Sequence, residues 1–548
     1  LKPQIAISLV AMGLMLLVKI PTAGSIDLNY SFYNNVQYSL FEASERDSLV
    51  ERAEVNLQIG LLRTGMLLEA RQPLPKVGDA EQGFGPVNVR KLFFELEKDG
   101  FSLRAGDFPV LFGRGLSINL FRDDALRQDT EPEGIKLGYR NDYVQATAFS
   151  GYVEKFVGPV STNDVSYEVD DTRQHLFRGA ASTFRPFTNT DSPLQPLELG
   201  VQYVRFRSIE AYPFPQETRR YEDRRTMTGG SLFYSGDFFD IYGEYVTGKR
   251  IENELYPDGK AKFTIAEYDT IQGIYGVINA FWGDFSLFGE FKDYQGLGFF
   301  DASGNYSKPI GQLQSPAKPY NNPPPVVTEH TSRLLGRDMY QPIILNNERG
   351  YRVELEWTPT YSTQILVDYT RAESREGDLY FQEYYLEFEH SIWDDNLSFM
   401  GMIEQGDVGE KADRTGGWLK TTYQLNDKQS IALTTEYMDG TVKNVADEVG
   451  QYYVFSFSQS KDTHENDSFW RALLKRSWTL SAAYELSSEA DQDGKDNWFS
   501  LAMDYKVSDN HLVRLFYGAR RAGLNCNGAI CVPEPAFEGF ECQLISVF

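Results

Sequence analysis

Between Tyr351 and Thr358 the chain alternates without a break. Tyr351, Val353, Leu355 and Trp357 hold one parity, and Arg352, Glu354, Glu356 and Thr358 hold the other. Successive side chains of a β-strand point to opposite faces, so one face here is wholly apolar and the other largely charged. A charged face is expensive against a dry core and cheap against water. After a short turn at Pro359–Tyr361 the pattern resumes, with Ile365, Val367 and Tyr369 set against Gln364, Asp368 and Thr370. It returns in Tyr384/Leu386/Phe388, Leu397/Phe399/Ile403, Ile431/Leu433/Tyr437 and Phe499/Leu501/Met503/Tyr505. A series of such segments joined by turns is the signature of a membrane barrel, with lipid on one face and a polar lumen on the other.

Both ends of the sequence fit this expectation. Phe540, Cys542, Leu544 and Phe548 share one parity, as on a closing strand that meets lipid. At the other end Lys2 precedes an apolar run, Ile5 to Val18, and then Pro21, Thr22, Ala23 and Gly24. This pattern predicts a secretory signal peptide over 1–24, removed after Ala23 or Gly24, and a single barrel domain over 25–548. The run is shorter than the ~20 apolar residues of a spanning helix. The first strand is expected near Leu28, which leaves no room before it for a separate plug domain or a TonB-type box.

Charged residues make up 24% of the chain, which alone would suggest a soluble protein. In a barrel only alternate residues face lipid, so bulk polarity does not exclude membrane insertion. The 33 Tyr and 37 Phe suit aromatic girdles at two interfaces. A soluble propeller could share this composition, but no blade-length repeat is present. A formal charge of −25 excludes a nucleic-acid partner, because phosphates need a basic stripe. The expected partners are outer-membrane lipids and, at the rim or in the lumen, a periplasmic or surface protein.

Link lengths set the topology. Short turns are expected near Arg63–Thr64, Lys98–Gly100, Arg140–Asp142, Ser235–Asp237, Trp282–Asp284, Pro359–Tyr361, Trp393–Asp395, Asn426–Asp427 and Ser508–Asn510. Long polar links are expected at Gln72–Arg90, Asp107–Glu133, Glu154–Gln174, Ile209–Arg225, Arg250–Tyr268, Gln295–Glu348 and Glu489–Lys495. Short turns of such barrels are periplasmic and long loops extracellular. The fold class is therefore all-β, an antiparallel transmembrane barrel of about 24 strands within roughly 20–26. Within Asp439–Asp467, Tyr452–Phe457 reads as an extracellular hairpin in place of a spanning strand. Gln295–Glu348, with Pro316, Pro319 and Pro323–Pro325, reads as a stiff lid over the lumen.

The densest local constellation runs from Gly106 to Gly134. Arg114, Arg122 and Arg127 alternate there with Asp107, Asp123, Asp124 and Asp129. Gly113 and Gly115 flank Arg114 and allow unusual backbone angles or close packing. These charges are the candidate pore-lining or loop-pinning residues. Of the three cysteines, Cys526 and Cys531 bracket Gly528 and form the candidate disulfide; Cys542 has lipid-facing parity. No CxxCH is present, so the chain carries no covalent haem itself; no cofactor is expected and no metal site is assigned. Asp491–Asp496 is acidic like a calcium loop but lacks the terminal Glu and the flanking helices.

Catalysis has little support. His175, His330, His390, His464 and His511 are scattered, and none has zinc-ligand spacing. His390 beside Glu389 is the nearest approach to an acid–base pair.

The run GDFPVLFGRGLSINLFRDDALRQD from Gly106, with GLNCNGAICVPEPAFEG from Gly523, resembles a family of uncharacterised outer-membrane barrels from Bacteroidetes-like bacteria. The resemblance implies the fold and the outer-membrane location and brings no activity. The expected role is a porin-like channel for polar solutes, with a structural sleeve or scaffold for a partner complex as the alternative. An outer-membrane hydrolase comes a distant third.

Overall fold

The computed structural model describes residues 28–548 apart from 42–45, 73–75, 78–79, 82–87, 124–127, 157–171, 189–191, 214–217, 256–260, 298–319, 322, 325–332, 335–346, 376, 378, 409–410, 443–446, 461–475, 489–493, 522, 528–529 and 535. The expected signal segment lies outside the described residues.

One sheet of 24 strands forms the wall. Every strand pairs antiparallel with its neighbours along the chain, from Leu28–Phe41 to the last strand, Phe537–Val547. That last strand bonds to His511–Arg520 on one side and to Leu28–Phe41 on the other, which closes the barrel. Closure leaves no sheet edge, so every ladder group finds a partner without water. At the seam Phe548 and Phe32 exchange two backbone hydrogen bonds of 2.8 and 2.9 Å. The Phe548 ring also packs on His511, with centroids 5.1 Å apart.

Alternation sorts the wall as the sequence predicts. On Asn347–Thr360, Tyr351, Val353, Leu355 and Trp357 are each at least 39% exposed on the outer face. Arg352 on the opposite face binds Asp368 of the next strand. Outward aromatics on many strands complete the lipid-facing band: Tyr203, Tyr245, Tyr384, Tyr437, Tyr484, Phe499 and Tyr517. Among the described residues no helix is long and apolar enough to cross a membrane.

Several boundaries differ from expectation. The first tight turn is Gly60–Leu61, because Ile59 pairs with Leu62; Arg63–Thr64 already belongs to a strand. Much of the supposed loop at Ile209–Arg225 and Arg250–Tyr268 is ladder, since the strands run through Pro213, from Thr218, through Leu255 and from Ala261. Polar residues that suggested loops sit there on a sheet too tall to be all membrane-embedded; Ala261–Trp282 alone has 22 residues. Asp447–Gln459, containing Tyr452–Phe457, is a barrel strand paired on both sides, not a hairpin. Its aromatics occupy both parities, which hid the alternation. Tyr453 and Phe455 face out, while Tyr452 packs inward against a buried cluster.

Candidate functional site

The lumen is occupied by the chain itself. After strand Phe101–Asp107 the polypeptide turns inward, and Phe108, Val110, Phe112, Leu116, Ile118 and Leu120 become buried. They alternate within two short arms, Val110–Leu111 and Asn119–Leu120, that pair as a miniature hairpin. The surfaces they meet are inward-facing wall residues: Phe149, Phe177, Val204, Phe206, Met227 and Val246 among others. Val204 and Phe206 alternate with exposed Val201, Tyr203 and Arg205, which fixes their direction as luminal. One sector of the inner wall is thus apolar, against the usual polar lumen, and the inserted hairpin covers it. Each fully buried aliphatic or aromatic side chain contributes about 1.5–3 kcal/mol to seating it.

Polar fastenings fix the register of that seat. Gly113 and Gly115 have φ of +55° and +85°, so the tip can turn where other residues would be strained. A Cβ on Gly113 would also lie 2.4 Å from the Glu244 carboxylate. Glu244 accepts hydrogen bonds from the Arg114 backbone N–H, the Gln202 amide and the Tyr242 hydroxyl, each at 2.7 Å. Ser117 donates to Gln202 at 3.1 Å.

The candidate charges take unequal places around this loop. Arg114 uses its backbone on Glu244 and lays its guanidinium over Tyr242, 5.1 Å from the ring centroid. Arg122 reaches Glu54 on the barrel wall at 2.7 Å. Asp107 and Asp129 converge on Lys91 at 3.2 and 2.7 Å, with Glu131 beside them at 3.7 Å. Burial pushes the Glu131 carboxyl above its ordinary range, and Lys91 pulls it back only in part. Asp123 is half-buried in a two-residue ladder, opposite Gln128. Asp124 and Arg127 lie outside the described residues.

A second segment, described at 320–321, meets the hairpin. Tyr320 accepts a 2.8 Å bond at its carbonyl from the Asn119 N–H, and Asn321 donates to the carbonyls of Leu116 and Leu297. The Tyr320 hydroxyl meets His175 Nδ1, and its ring packs on Phe177 with centroids 4.9 Å apart. Farther along the same link, Arg333 and Leu334 touch a distant part of the wall. Leu334 is buried among Tyr385, Met402, Trp418 and Met438. Its N–H and that of Arg333 both donate to the Glu436 carboxylate, at 3.0 and 3.2 Å, while the Arg333 guanidinium pairs with Glu485 at 3.2 Å. Most of the expected lid, with Pro316, Pro319 and Pro325, lies outside the described residues; the described pieces at 320–321 and 333–334 touch different parts of the wall.

The second point stands on a charged sector. Arg414 lies between Glu404 at 2.6 Å and Glu383 at 3.6 Å, all three buried. Lys292 pairs with Glu348, and Arg352 joins Glu354 to Asp368. No group of three metal-ligating side chains converges among the described residues. Of the histidines, His390 contacts Thr363 at 3.0 Å and His511 contacts Ser546 at 2.9 Å; His330 and His464 lie outside the described residues. Cys526 and Cys531 face each other as register partners across a short ladder, though their side chains are not among those described. Cys542 is a free, half-buried thiol.

The sequence reading missed the apolar seat, Glu244, the Tyr320–Asn321 contact and the Arg333–Leu334 foothold. The first was readable in principle, from alternating Phe108/Val110/Phe112 and Leu116/Ile118/Leu120. The wall that receives it is spread over distant strands.

Closure, height and the outward apolar band define a large β-barrel of the outer-membrane type. More narrowly, the chain belongs to DUF6029, a family of unknown function whose model matches residues 5–548. No curated protein matches it in sequence. Among solved structures it is similar to the copper transporter OprC, with 11% identity, a TM-score of 0.43, and coverage of 95% of this chain and 81% of that one. The siderophore receptor PirA from Pseudomonas aeruginosa shows 10% identity and a TM-score of 0.42 over 95% and 80%. The P pilus usher PapC translocation pore shows 10% and 0.35 over 95% and 99%.

Proposed function

We propose that the protein is a channel of restricted bore in a bacterial outer membrane, passing polar solutes around its own inserted loops. The observation that carries this reading is the division of the inner wall. An apolar sector is sealed by the 108–120 hairpin, while a charged sector from Lys292 to Glu485 keeps ionic groups on the luminal face. Charges retained on a wall are costly unless paired or wet. Arg414, Glu383 and Glu404 are buried and paired, while Arg352, Glu354 and Arg333 are partly exposed and can border a solute path. Carboxylates outnumber cations around Arg414 and Arg352, which favours cationic or neutral solutes.

The sleeve reading is favoured by one observation, the two loop contacts that narrow the lumen. Planar-bilayer recordings separate the two. A channel gives discrete conductance, and neutralising Arg114, Arg122 and Arg127 together shifts its selectivity toward cations. A sleeve gives a silent barrel that co-purifies with a partner. Orientation is read on intact cells: a tag at Gly377 is labelled from outside, and one at the tight turn by Ser508 is not. Labelling at Ser508 overturns the topology.

A further inference from the structure

The outer face of the barrel carries an arrangement that neither the fold nor the channel reading requires. Arg178 and Arg205 sit directly opposite each other on neighbouring strands, both exposed and both pointing away from the lumen. Like charges at opposed ladder positions are destabilising. One step toward the long links, Arg207 and Arg224 form a second opposed pair, but Glu222 lies between them at 2.7 and 2.9 Å. Other outward arginines at comparable heights are also satisfied, Arg371 by Glu373 at 2.8 Å and Arg349 by Asp293 at 3.4 Å. Among the described residues Arg178 and Arg205 have no carboxylate in reach. Lys249 extends the same row beyond Thr226.

The height of the pair is set by its neighbours. Arg205 is the first outward residue past Tyr203 of the aromatic band, as Arg371 is past Tyr369, so both arginines lie at the membrane–water interface on the long-link side. Directly beneath them the wall is hollowed. Ala146, Ala148, Ala180 and Ser182 occupy outward positions between the larger Leu137 and Tyr203, and the groove measures about 890 Å³. It begins at Ala180 and Tyr203, the outward residues next below the arginine pair, and slants across the neighbouring strands toward the tight turns at Leu61 and Lys98, and its surface is almost wholly apolar.

We propose that this is a binding site for a phosphorylated lipid of the leaflet at the long-link end, with its phosphate bridging Arg178 and Arg205 and an acyl chain in the groove below. A phosphate accepts charge-assisted hydrogen bonds from two guanidinium groups and replaces the carboxylate that the other pairs have. Small residues below leave the space a chain fills, where larger ones would give a smooth wall. A second copy of this chain is a poorer occupant, because its own outer face would have to bring an acidic group into the apolar band. The proposal rests on the membrane reading of the barrel but not on conduction.

The test is native mass spectrometry of the full chain in detergent with three probes. These are a diphosphorylated lipid A-type glycolipid, the same lipid without phosphates, and inorganic phosphate. The expected result is retention of the phosphorylated lipid, reduced about tenfold in Arg178→Gln/Arg205→Gln, and reduced also in Ala180→Leu, which narrows the groove and keeps both arginines. Heat-modifiable migration on gels confirms that each variant is a folded barrel, so a failed membrane fold is distinguished from a failed site. Equal retention of both lipids, or no loss in the two variants, overturns the proposal. So does inorganic phosphate displacing the lipid as well as the lipid itself does, or a dimer in place of bound lipid.

Discussion

Two sectors of one inner wall solve the problem of a wide lumen in opposite ways. From Phe149 to Ile271 the wall is apolar and is covered by an inserted hairpin; from Lys292 to Glu485 it is ionic and held by pairs. The apolar sector gains from contact that any well-shaped hydrophobic surface gives, so its cover is fastened by area. The ionic sector gains only while each charge keeps its partner, since a buried lone charge is far more costly than no charge. Cover in the first can be trimmed gradually; balance in the second fails at single residues.

The largest expected effect lies in the apolar seat. Phe177→Ala removes a fully buried ring that touches both Phe206 and Tyr320, and should loosen the hairpin and the Tyr320–Asn321 contact together by about 3–5 kcal/mol. Proteolysis within 108–132 of the folded barrel reads this directly, and unchanged protection would show that the seat is not apolar contact. In the ionic sector, Arg414→Ala takes the guanidinium from between Glu383 and Glu404 and should destabilise by about 3 kcal/mol. Combining Arg414→Met with Glu383→Gln and Glu404→Gln should recover most of that loss in thermal unfolding. A triple variant as unstable as the single one would place the cost in packing, and the two sectors would then differ less than claimed.

What the sequence made legible follows from which selection acts on which face. Lipid favours apolar residues at the outward positions of the band, so the alternation in Tyr351–Thr358 or Phe499–Tyr505 could be read locally and gave the strand number. The lumen imposes no such rule. Met402 and Trp418 face inward like the charges beside them, and only the partner that arrives from residue 334 explains them. Arginines and aspartates in Gly106–Gly134 drew attention to the right loop for an incomplete reason. Arg122, Asp107 and Asp129 make ion pairs at its base, while its buried arms hold by side chains that look like ordinary strand residues.

A smaller effect is expected where Arg333 and Leu334 meet the ionic wall. Glu436→Gln weakens the acceptor for the Arg333 and Leu334 N–H groups by about 1–3 kcal/mol and should raise tryptic cleavage after Arg333, leaving the hairpin 108–120 protected. Cleavage at both places would mean that the two loops open as one unit. Smallest for the barrel as a whole is the cysteine pair. Cys526 and Cys531 should be linked in mature protein and Cys542 should not react with a water-soluble maleimide, while reduction leaves the barrel's unfolding midpoint unchanged because the ladder carries the fold. A mapped bridge to Cys542 would contradict the facing of the last strand.

The central claim is that the chain's own hairpin, seated on an apolar patch of wall, is the main obstruction in the lumen. Single-channel recording of the wild type beside a variant in which 109–121 is replaced by a short Gly-Ser link tests it most directly, with folding checked by heat-modifiable migration. The shortened variant should show a several-fold larger conductance. Equal conductance in the two, silence in both included, would contradict it.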